Sequence, residues 1–144
     1  PLRFLASELI RQGMPATRMR LFLGGQSKQD LLCRDDFEGH GISVTLTTDD
    51  GSEGDQCLIT DPLEQAIQDQ APDMVYACGP HGMLACVAGI AERTGAPCQV
   101  SIETLMACGL GACLGCAVES AKDPDTYLHA CVHGPVFNVQ DIRL

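Results

Sequence analysis

Four cysteines near the C-terminus constrain the fold of this chain more than any other feature. Cys108, Cys113 and Cys116 share one short segment and Cys131 follows after fourteen more residues, which gives the spacing C-x4-C-x2-C-x14-C. This is the plant-type ligand spacing for a [2Fe–2S] cluster. Glycines stand between the first three ligands, and residues without a Cβ let the backbone curl closely and direct N–H groups at sulfur. The pattern predicts a metal-binding loop suited to one-electron chemistry.

Disulfide bonds and zinc binding are two other possible uses of these cysteines. The chain has 9 cysteines, an odd number, and reads as a packed α/β protein, which argues against a disulfide framework. Zinc is the closer alternative because four thiolates suit a tetrahedral ion, although structural zinc sites usually bring two short C-x2-4-C pairs. A zinc-stabilised interaction module therefore stays open. Among the remaining cysteines, Cys86 and Cys98 are predicted to be small buried residues.

Length and charge limit the classes of function. With 144 residues and a hydrophobic fraction of 45%, the chain can form one domain, or one with a small appendage. A net charge of −10 argues against binding to nucleic acid or to an anionic membrane surface. No apolar run approaches the length of a membrane-spanning helix. Free thiols and an exposed cluster predict a reducing, cytoplasmic location.

Strands and helices are predicted to alternate up to residue 96. Apolar periodicity and capping residues predict helices over 2–12, 27–34, 61–68 and 82–94, and strands over 18–23, 42–48 and 73–77. This alternation predicts an α/β fold with a doubly wound parallel sheet. After Ala96 the pattern changes to short strands around the cysteines. We therefore expect a nucleotide-type domain over 1–96 and a small cluster domain over 97–144.

Several candidate ligand-binding residues lie where predicted strands end. Ligands of doubly wound sheets bind at the carboxyl ends of the strands, so a shared position there is informative although each turn alone is a weak signal. The residues at these ends are Gly24, Gly25, Thr48, Asp49, Asp50, Cys78, Gly79 and Pro80.

With these motifs in place, the chain resembles the electron-transfer subunits of the class 1B dihydroorotate dehydrogenases, a branch of the ferredoxin-reductase superfamily. The resemblance covers essentially the whole chain. It is carried by SIETLMACGLGACLGC at 101–116, CVHGPVF at 131–137, TDDGS at 48–52 and YACGP at 76–80 followed by Met83. The cluster motif is specific, whereas many flavin reductases share the nucleotide-domain motifs.

The resemblance implies a path for electrons in pyrimidine biosynthesis. In the family, a partner subunit that contains FMN oxidises dihydroorotate, and electrons pass through a [2Fe–2S] cluster to FAD and then to NAD+. It implies that Cys108, Cys113, Cys116 and Cys131 are the cluster ligands and that this chain holds no catalytic residue for dihydroorotate. Related reductases, of the sulfhydrogenase or ferredoxin:NADP type, stay open, but their first ligand is often not cysteine, so Cys108 favours the dihydroorotate system.

The resemblance also implies roles for residues of the nucleotide domain, and alternatives stay open for several of them. Cys78, Gly79 and Pro80 match the family turn beside the nicotinamide, and the alternative for Cys78 is a buried strand end. The loop residues Asp49, Asp50 and Ser52, after Thr48, either contact the cofactor or shape the loop, and the alternative is an acidic turn solvated by water. Gly24 and Gly25 lie where the family meets the adenosine side.

The chain also departs from the family pattern. Family chains begin with a flavin-binding barrel, then a first strand with a glycine-rich loop, and neither is recognisable here. We therefore interpret the chain as a C-terminal fragment with an incomplete NAD site, little NAD affinity, no FAD of its own and no activity alone. The slot of the missing strand needs another occupant. Leu105, Leu110 and Leu114 are expected either to meet the partner subunit or to shield the cluster.

Overall fold

Helices and strands alternate along most of the chain. The computed structural model describes residues 1–144, which divide into two compact units, Pro1–Gln70 and Ala71–Leu144. The first unit contains α1 (Leu2–Arg11), β1 (Arg20–Gly25), α2 (Arg34–Gly39), β2 (Ser43–Thr48) and α3 (Thr60–Asp69). The second contains β3 (Val75–Cys78), α4 (His81–Thr94), β4 (Cys98–Ser101), β5 (Ala117–Glu119), β6 (Tyr127–His129), α5 (Ala130–His133) and β7 (Val136–Asn138).

The first unit is built on one parallel strand pair. β1 and β2 align from Arg20 opposite Ser43 to Gly25 opposite Thr48, so both strands end at the same edge. Its core is formed by Ala6, Leu21, Phe37 and Ile42, with the apolar face of α1 packed against it. Burial of each large apolar side chain contributes about 1.5–3 kcal/mol, which holds the helices on the strands.

The second unit combines a parallel and an antiparallel pair. β3 runs parallel to β4, and β7 pairs antiparallel with the other edge of β4. The buried face of α4 presents Leu84, Val87 and Ile90 at three-residue spacing, which is the period of a helix packed on one side. β5 and β6 form a separate antiparallel hairpin that flanks the cysteine segment.

The predicted α/β class with parallel strands is confirmed, but the strand pairing is divided. β1 pairs with β2 and β3 pairs with β4, in two separate sheets and not one continuous ladder. Each parallel pair thus stays within its own unit. The longest helix, α4, has 14 residues, and no helix combines the length and apolarity needed to cross a membrane.

Two local predictions are wrong. The predicted helix over 27–34 is only a 3-10 helix at Lys28–Asp30, and α2 begins separately at Arg34. Cys33 adopts a φ of 62°, a left-handed conformation that interrupts helical continuity. Of the two cysteines predicted to be buried outside the motif, Cys98 is buried and Cys86 is exposed, because position 86 lies off the buried face of α4.

Candidate functional site

Gly24 and Gly25 lie at the carboxyl end of β1, next to the end of β2, as predicted. A Cβ at Gly24 would come within 2.8 Å of Ile59 Cβ, and a Cβ at Gly25 within 2.8 Å of Asp30 Cβ. Real Cβ atoms do not approach other atoms so closely, so both glycines are required by the packing of the chain itself. At the end of β1, therefore, Gly24 and Gly25 offer a ligand only their backbone atoms.

The loop after β2 is held by hydrogen bonds within the chain. Buried Thr48 donates through Oγ1 to the carbonyl of Glu53 at 2.7 Å and accepts the Glu53 N–H at 3.2 Å. The N–H groups of Asp49 and Asp50 donate to the carbonyls of Gly25 and Gln26, each at 3.1 Å. The loop is therefore fastened to the segment that follows β1.

Asp50 and Ser52 shape this loop. Asp50 Oδ1 accepts the Ser52 hydroxyl at 2.5 Å and the Ser52 N–H at 2.9 Å, and Ser52 Oγ accepts the Lys28 N–H at 2.8 Å. The Ser52 hydroxyl, followed by its N–H, holds the pKa of the Asp50 carboxyl below its usual range. The structure thus favours a loop-shaping role for these two side chains, while exposed Asp49 stays available to a ligand.

The turn after β3 opens a pocket in the second unit. Cys78 is half-buried at the end of β3, and a Cβ at Gly79 would come within 2.7 Å of Met83 Cε. Pro80 starts α4, and its carbonyl accepts the Leu84 N–H at 3.0 Å. The adjoining pocket, of about 250 Å³, is lined by Gly79, Pro80, His81, Leu84, Ile102, Glu103 and Leu144.

Sequence reasoning missed two polar residues of that pocket, His81 and Glu103. Glu103 closely follows β4, which runs parallel to β3 with Cys78 opposite Ser101. A residue that follows the carboxyl end of a neighbouring parallel strand is near the same edge, and this signal was available in the sequence. Cys78, by contrast, does not line the pocket.

Cys108 lies where backbone N–H groups converge on its sulfur. The Leu110 N–H donates to Cys108 Sγ at 3.4 Å. This hydrogen bond, with further ones from Cys113 and the Ala112 N–H, lowers the pKa of Cys108 from 9.0 to about 6. The thiolate is the form that binds metal, so the backbone prepares this sulfur for a positively charged ligand.

Cys116 and Cys131 form a close pair of sulfurs, 3.3 Å apart. The Cys131 N–H, followed by the hydrogen bond between the two sulfurs, lowers the pKa of Cys116, and the same sulfur hydrogen bond raises that of Cys131. The Gly111 N–H also faces Cys131 Sγ and opposes that rise. The end of β6 and the short α5, which contains Cys131, therefore bring the distant fourth cysteine of the sequence pattern to the cysteine loop.

The four thiols stand as two pairs, Cys108 with Cys113 and Cys116 with Cys131. No three of the histidine, cysteine, aspartate and glutamate side chains gather around one point. A single zinc ion needs four ligands around one centre, whereas the two irons of a [2Fe–2S] cluster divide four thiolates between them. The paired arrangement fits the two-iron cluster.

Three residues of the cysteine loop have a left-handed backbone conformation. Gly109, Gly111 and Leu114 have φ values of 67°, 76° and 60°. A Cβ at Gly111 would come within 3.0 Å of Val132 Cγ2, so glycine is needed there on two counts. Left-handed Leu114 is a strained residue between two ligands, which is where functional sites commonly carry strain.

The three leucines of this segment are exposed. Leu105, Leu110 and Leu114 keep 87%, 81% and 64% of their surface open to solvent. They therefore form no buried cover over the cysteines within this chain. Of the histidines here, His133 is exposed, and its Nδ1 accepts the His129 N–H at 2.9 Å.

Comparison with known proteins agrees with this geometry. Residues 1–89 match the family model described as an oxidoreductase NAD-binding domain. The chain belongs to this family. Residues 103–143, which contain all four paired cysteines, match the iron-sulfur cluster binding domain of dihydroorotate dehydrogenase B.

Curated relatives carry the corresponding name. The chain is 39% identical, over 99% of its length, to a protein of Methanopyrus kandleri named probable dihydroorotate dehydrogenase B (NAD(+)), electron transfer subunit. It is 36% identical over 99% of its length to the electron transfer subunit of Caldanaerobacter subterraneus subsp. tengcongensis. It covers 51% and 54% of these two proteins, about half of their length. The family resemblance predicted from the sequence is thus confirmed.

A solved structure shares the fold. The chain matches it with a TM-score of 0.81 and 27% identity, over 99% of this chain and 49% of the other. That structure is described as an NADH-dependent reduced ferredoxin-NADP oxidoreductase in a study of flavin-based electron bifurcation. The ferredoxin-reductase-like architecture expected from the sequence is confirmed.

Proposed function

We propose that this chain is the cluster-bearing part of the electron-transfer subunit of an NAD-linked dihydroorotate dehydrogenase. The observation that carries the proposal is the arrangement of four thiols in two pairs within residues 103–143. When bound, a [2Fe–2S] cluster supplies one-electron transfer between centres that exchange electrons singly or in pairs.

The ligand roles follow from the pairing. Cys108 and Cys113 would hold one iron, and Cys116 and Cys131 would hold the other. The N–H groups that lower the pKa of Cys108 favour its thiolate, and the Gly111 N–H partly opposes the raised pKa of Cys131. Exclusion of water is limited, since the leucines of the loop are exposed.

We place the domain boundary at 96/97, with an NAD-binding domain over 1–96 and the cluster domain over 97–144. The family matches at 1–89 and 103–143 lie on either side of this boundary and support it. The compact units of the structure divide earlier, between Gln70 and Ala71, so the matched NAD-binding residues extend into the second unit.

The nucleotide roles are assigned separately in each unit. In the first unit, Gly24, Gly25, Thr48, Asp49, Asp50 and Ser52 form the adenosine side. There Asp49 and the backbone make the contacts, while Thr48, Asp50 and Ser52 hold the loop. In the second unit, Cys78, Gly79 and Pro80 face the nicotinamide.

The partner is a catalytic subunit that contains FMN and oxidises dihydroorotate. The relatives are named electron transfer subunits, which implies a second subunit in their complexes. The exposed leucines at 105, 110 and 114 are the surface that we assign to it, because a dry contact beside the ligands shortens the path of the electron. The cytoplasmic location stays a prediction from the cysteine usage.

One experiment tests the core of the proposal. The chain is purified or reconstituted anaerobically with iron and sulfide, and its absorption and EPR spectra are recorded with and without dithionite. We expect about two irons and two sulfides per chain and an EPR signal in the reduced state only. A colourless chain that instead takes up one zinc ion would overturn the proposal. Co-purification with a dihydroorotate-oxidising flavoprotein tests the partner.

The solved structure favours a second candidate, a subunit of an NADH-dependent ferredoxin–NADP oxidoreductase. Its 27% identity is lower than the 39% shared with the relative from Methanopyrus kandleri, so it ranks second. Reduction of the reconstituted cluster by reduced ferredoxin, and not by the dihydroorotate-oxidising partner, would reverse this order.

A further inference from the structure

Two buried side-chain polar atoms in this chain have no hydrogen-bond partner, and both lie in the cysteine segment. They are Thr104 Oγ1, four residues before Cys108, and His129 Nε2, two residues before Cys131. A buried polar atom without a partner costs about 1–3 kcal/mol, so native structures rarely keep one. Two such atoms near the ligand loop indicate that a bound group supplies the partner.

The side chain of His129 is held at the wall of this loop. It is the last residue of β6, and a Cβ at Gly111 would lie 4.0 Å from its Cγ. The same Gly111 directs its N–H at Cys131 Sγ. The backbone N–H of His129 is fixed by a 2.9 Å hydrogen bond to His133 Nδ1. The ring thus lies next to Gly111, whose N–H faces Cys131 Sγ, while its Nε2 contacts neither solvent nor a polar protein atom.

We propose that His129 Nε2–H donates a hydrogen bond to a sulfur of the bound cluster and thereby raises its reduction potential. Cluster sulfurs are acceptors, so a ring nitrogen that hydrogen-bonds to one must act as the donor. One electron enters on reduction and no proton moves. The added negative charge strengthens a hydrogen bond that is already present, which favours the reduced state. His129 acts through the cluster, so this inference rests on the proposed function.

Three variants of the 144-residue chain test the role of this nitrogen. H129F keeps a flat ring and removes the donor, H129Q keeps a shorter amide donor, and H40Q changes an exposed histidine outside the cysteine segment as a control. Each is loaded anaerobically after selective labelling of histidine with 15N. The reduced cluster is then examined by pulsed EPR for coupling to 15N, and its potential is measured by redox titration.

We expect 15N coupling in the unsubstituted chain and in H40Q, and its loss in H129F. The equilibrium constant for one-electron reduction should fall roughly tenfold in H129F, which is about 59 mV for a one-electron couple, and by less in H129Q. A purely structural role for His129 would change neither signal in a variant that still binds its cluster.

The contrary outcomes separate the two proposals. Unchanged coupling and potential in loaded H129F would overturn the hydrogen bond and point to a buried water as the partner of Nε2. If H129F does not fold, the same readouts in H129Q decide, since an unchanged potential together with 15N coupling there has the same meaning. An unsubstituted chain that binds no iron and sulfide would overturn the proposed function, and this inference with it.

Discussion

The loop after β2 and the cysteine loop differ in where their polar groups find partners. In the loop after β2, Thr48 is hydrogen-bonded to Glu53, and Ser52 is hydrogen-bonded to Asp50 and Lys28. In the cysteine loop, the thiols face each other in pairs and the segment leaves Thr104 Oγ1 and His129 Nε2 without partners. The first loop is therefore shaped by the chain itself, whereas the second leaves polar groups that the proposed cluster would engage.

The largest effect should follow from breaking a thiol pair. Cys131→Ser removes one sulfur of the close pair with Cys116, and we expect loss of most of the bound iron and sulfide, because an alcohol is a poor substitute for a thiolate ligand. The measurement is iron and acid-labile sulfide per chain. Cys33→Ser, which changes an exposed cysteine outside the motif, is the control and should keep the full content. Equal content in both variants would show that Cys131 is not a ligand.

The loop after β2 should instead fail through its backbone. Gly54 has a φ of 68°, and its Cβ would meet the carbonyl oxygen of Leu46, so Gly54→Ala should lower the free energy of unfolding by about 3 kcal/mol. Gly13→Ala is the matched control, since Gly13 also has a positive φ, of 95°, but has no atom near the Cβ position. It should cost about 1 kcal/mol. Urea unfolding measures both, and equal losses would remove the close approach as the cause.

A third test asks whether surroundings alone set thiol chemistry outside the ligand loop. Burial raises the pKa of Cys98 from 9.0 to about 11, so at pH 8 its thiolate fraction should be about a hundredfold lower than that of an ordinary thiol. Alkylation followed by mass spectrometry should label exposed Cys86 long before Cys98. The folded chain keeps this proton to a higher pH than the unfolded chain. The free energy of unfolding should therefore fall as the pH rises from 9.0 to about 11. Labelling of Cys98 at the rate of Cys86 would show that β4 opens readily.

The smallest effect is expected from one hydroxyl in the self-contained loop. Ser52→Ala removes the hydrogen bonds that Ser52 Oγ makes with Asp50 and the Lys28 N–H, and should cost about 1 kcal/mol or less. It should also raise the pKa of Asp50, because the Ser52 hydroxyl is the main cause of its lowering. The stability from this lowered pKa is present above the ordinary carboxyl pKa and is lost as the pH falls through the lowered value.

NMR titration of the Asp50 carboxyl measures the shift directly. Ser43→Ala, an exposed serine at the start of β2, is the control and should leave the titration of Asp50 unchanged. If Ser52→Ala also leaves it unchanged, the loop is held by its backbone bonds alone and the contrast with the cysteine loop becomes sharper.

Much of the fold followed from local patterns in the sequence. The alternating residues of β2 and the apolar spacing of Leu84, Val87 and Ile90 in α4 predicted these elements near their observed bounds. The prediction of a helix from Ser27 onward was wrong because the sequence contains no sign that Cys33 takes a left-handed conformation. Cys86 was misplaced because hydrophobicity does not tell on which side of a helix a small residue lies.

The sequence by itself predicted the ligand set and its chemistry, because the spacing of Cys108, Cys113, Cys116 and Cys131 is a local property that only a few metal centres accept. Only the tertiary structure decided how these sulfurs pair, that Asp50 and Ser52 are engaged in their own loop, and that His129 Nε2 is buried without a partner. These features depend on contacts between residues far apart in the chain, such as Cys116 with Cys131 and Lys28 with Ser52, and such contacts exist only once the chain has folded.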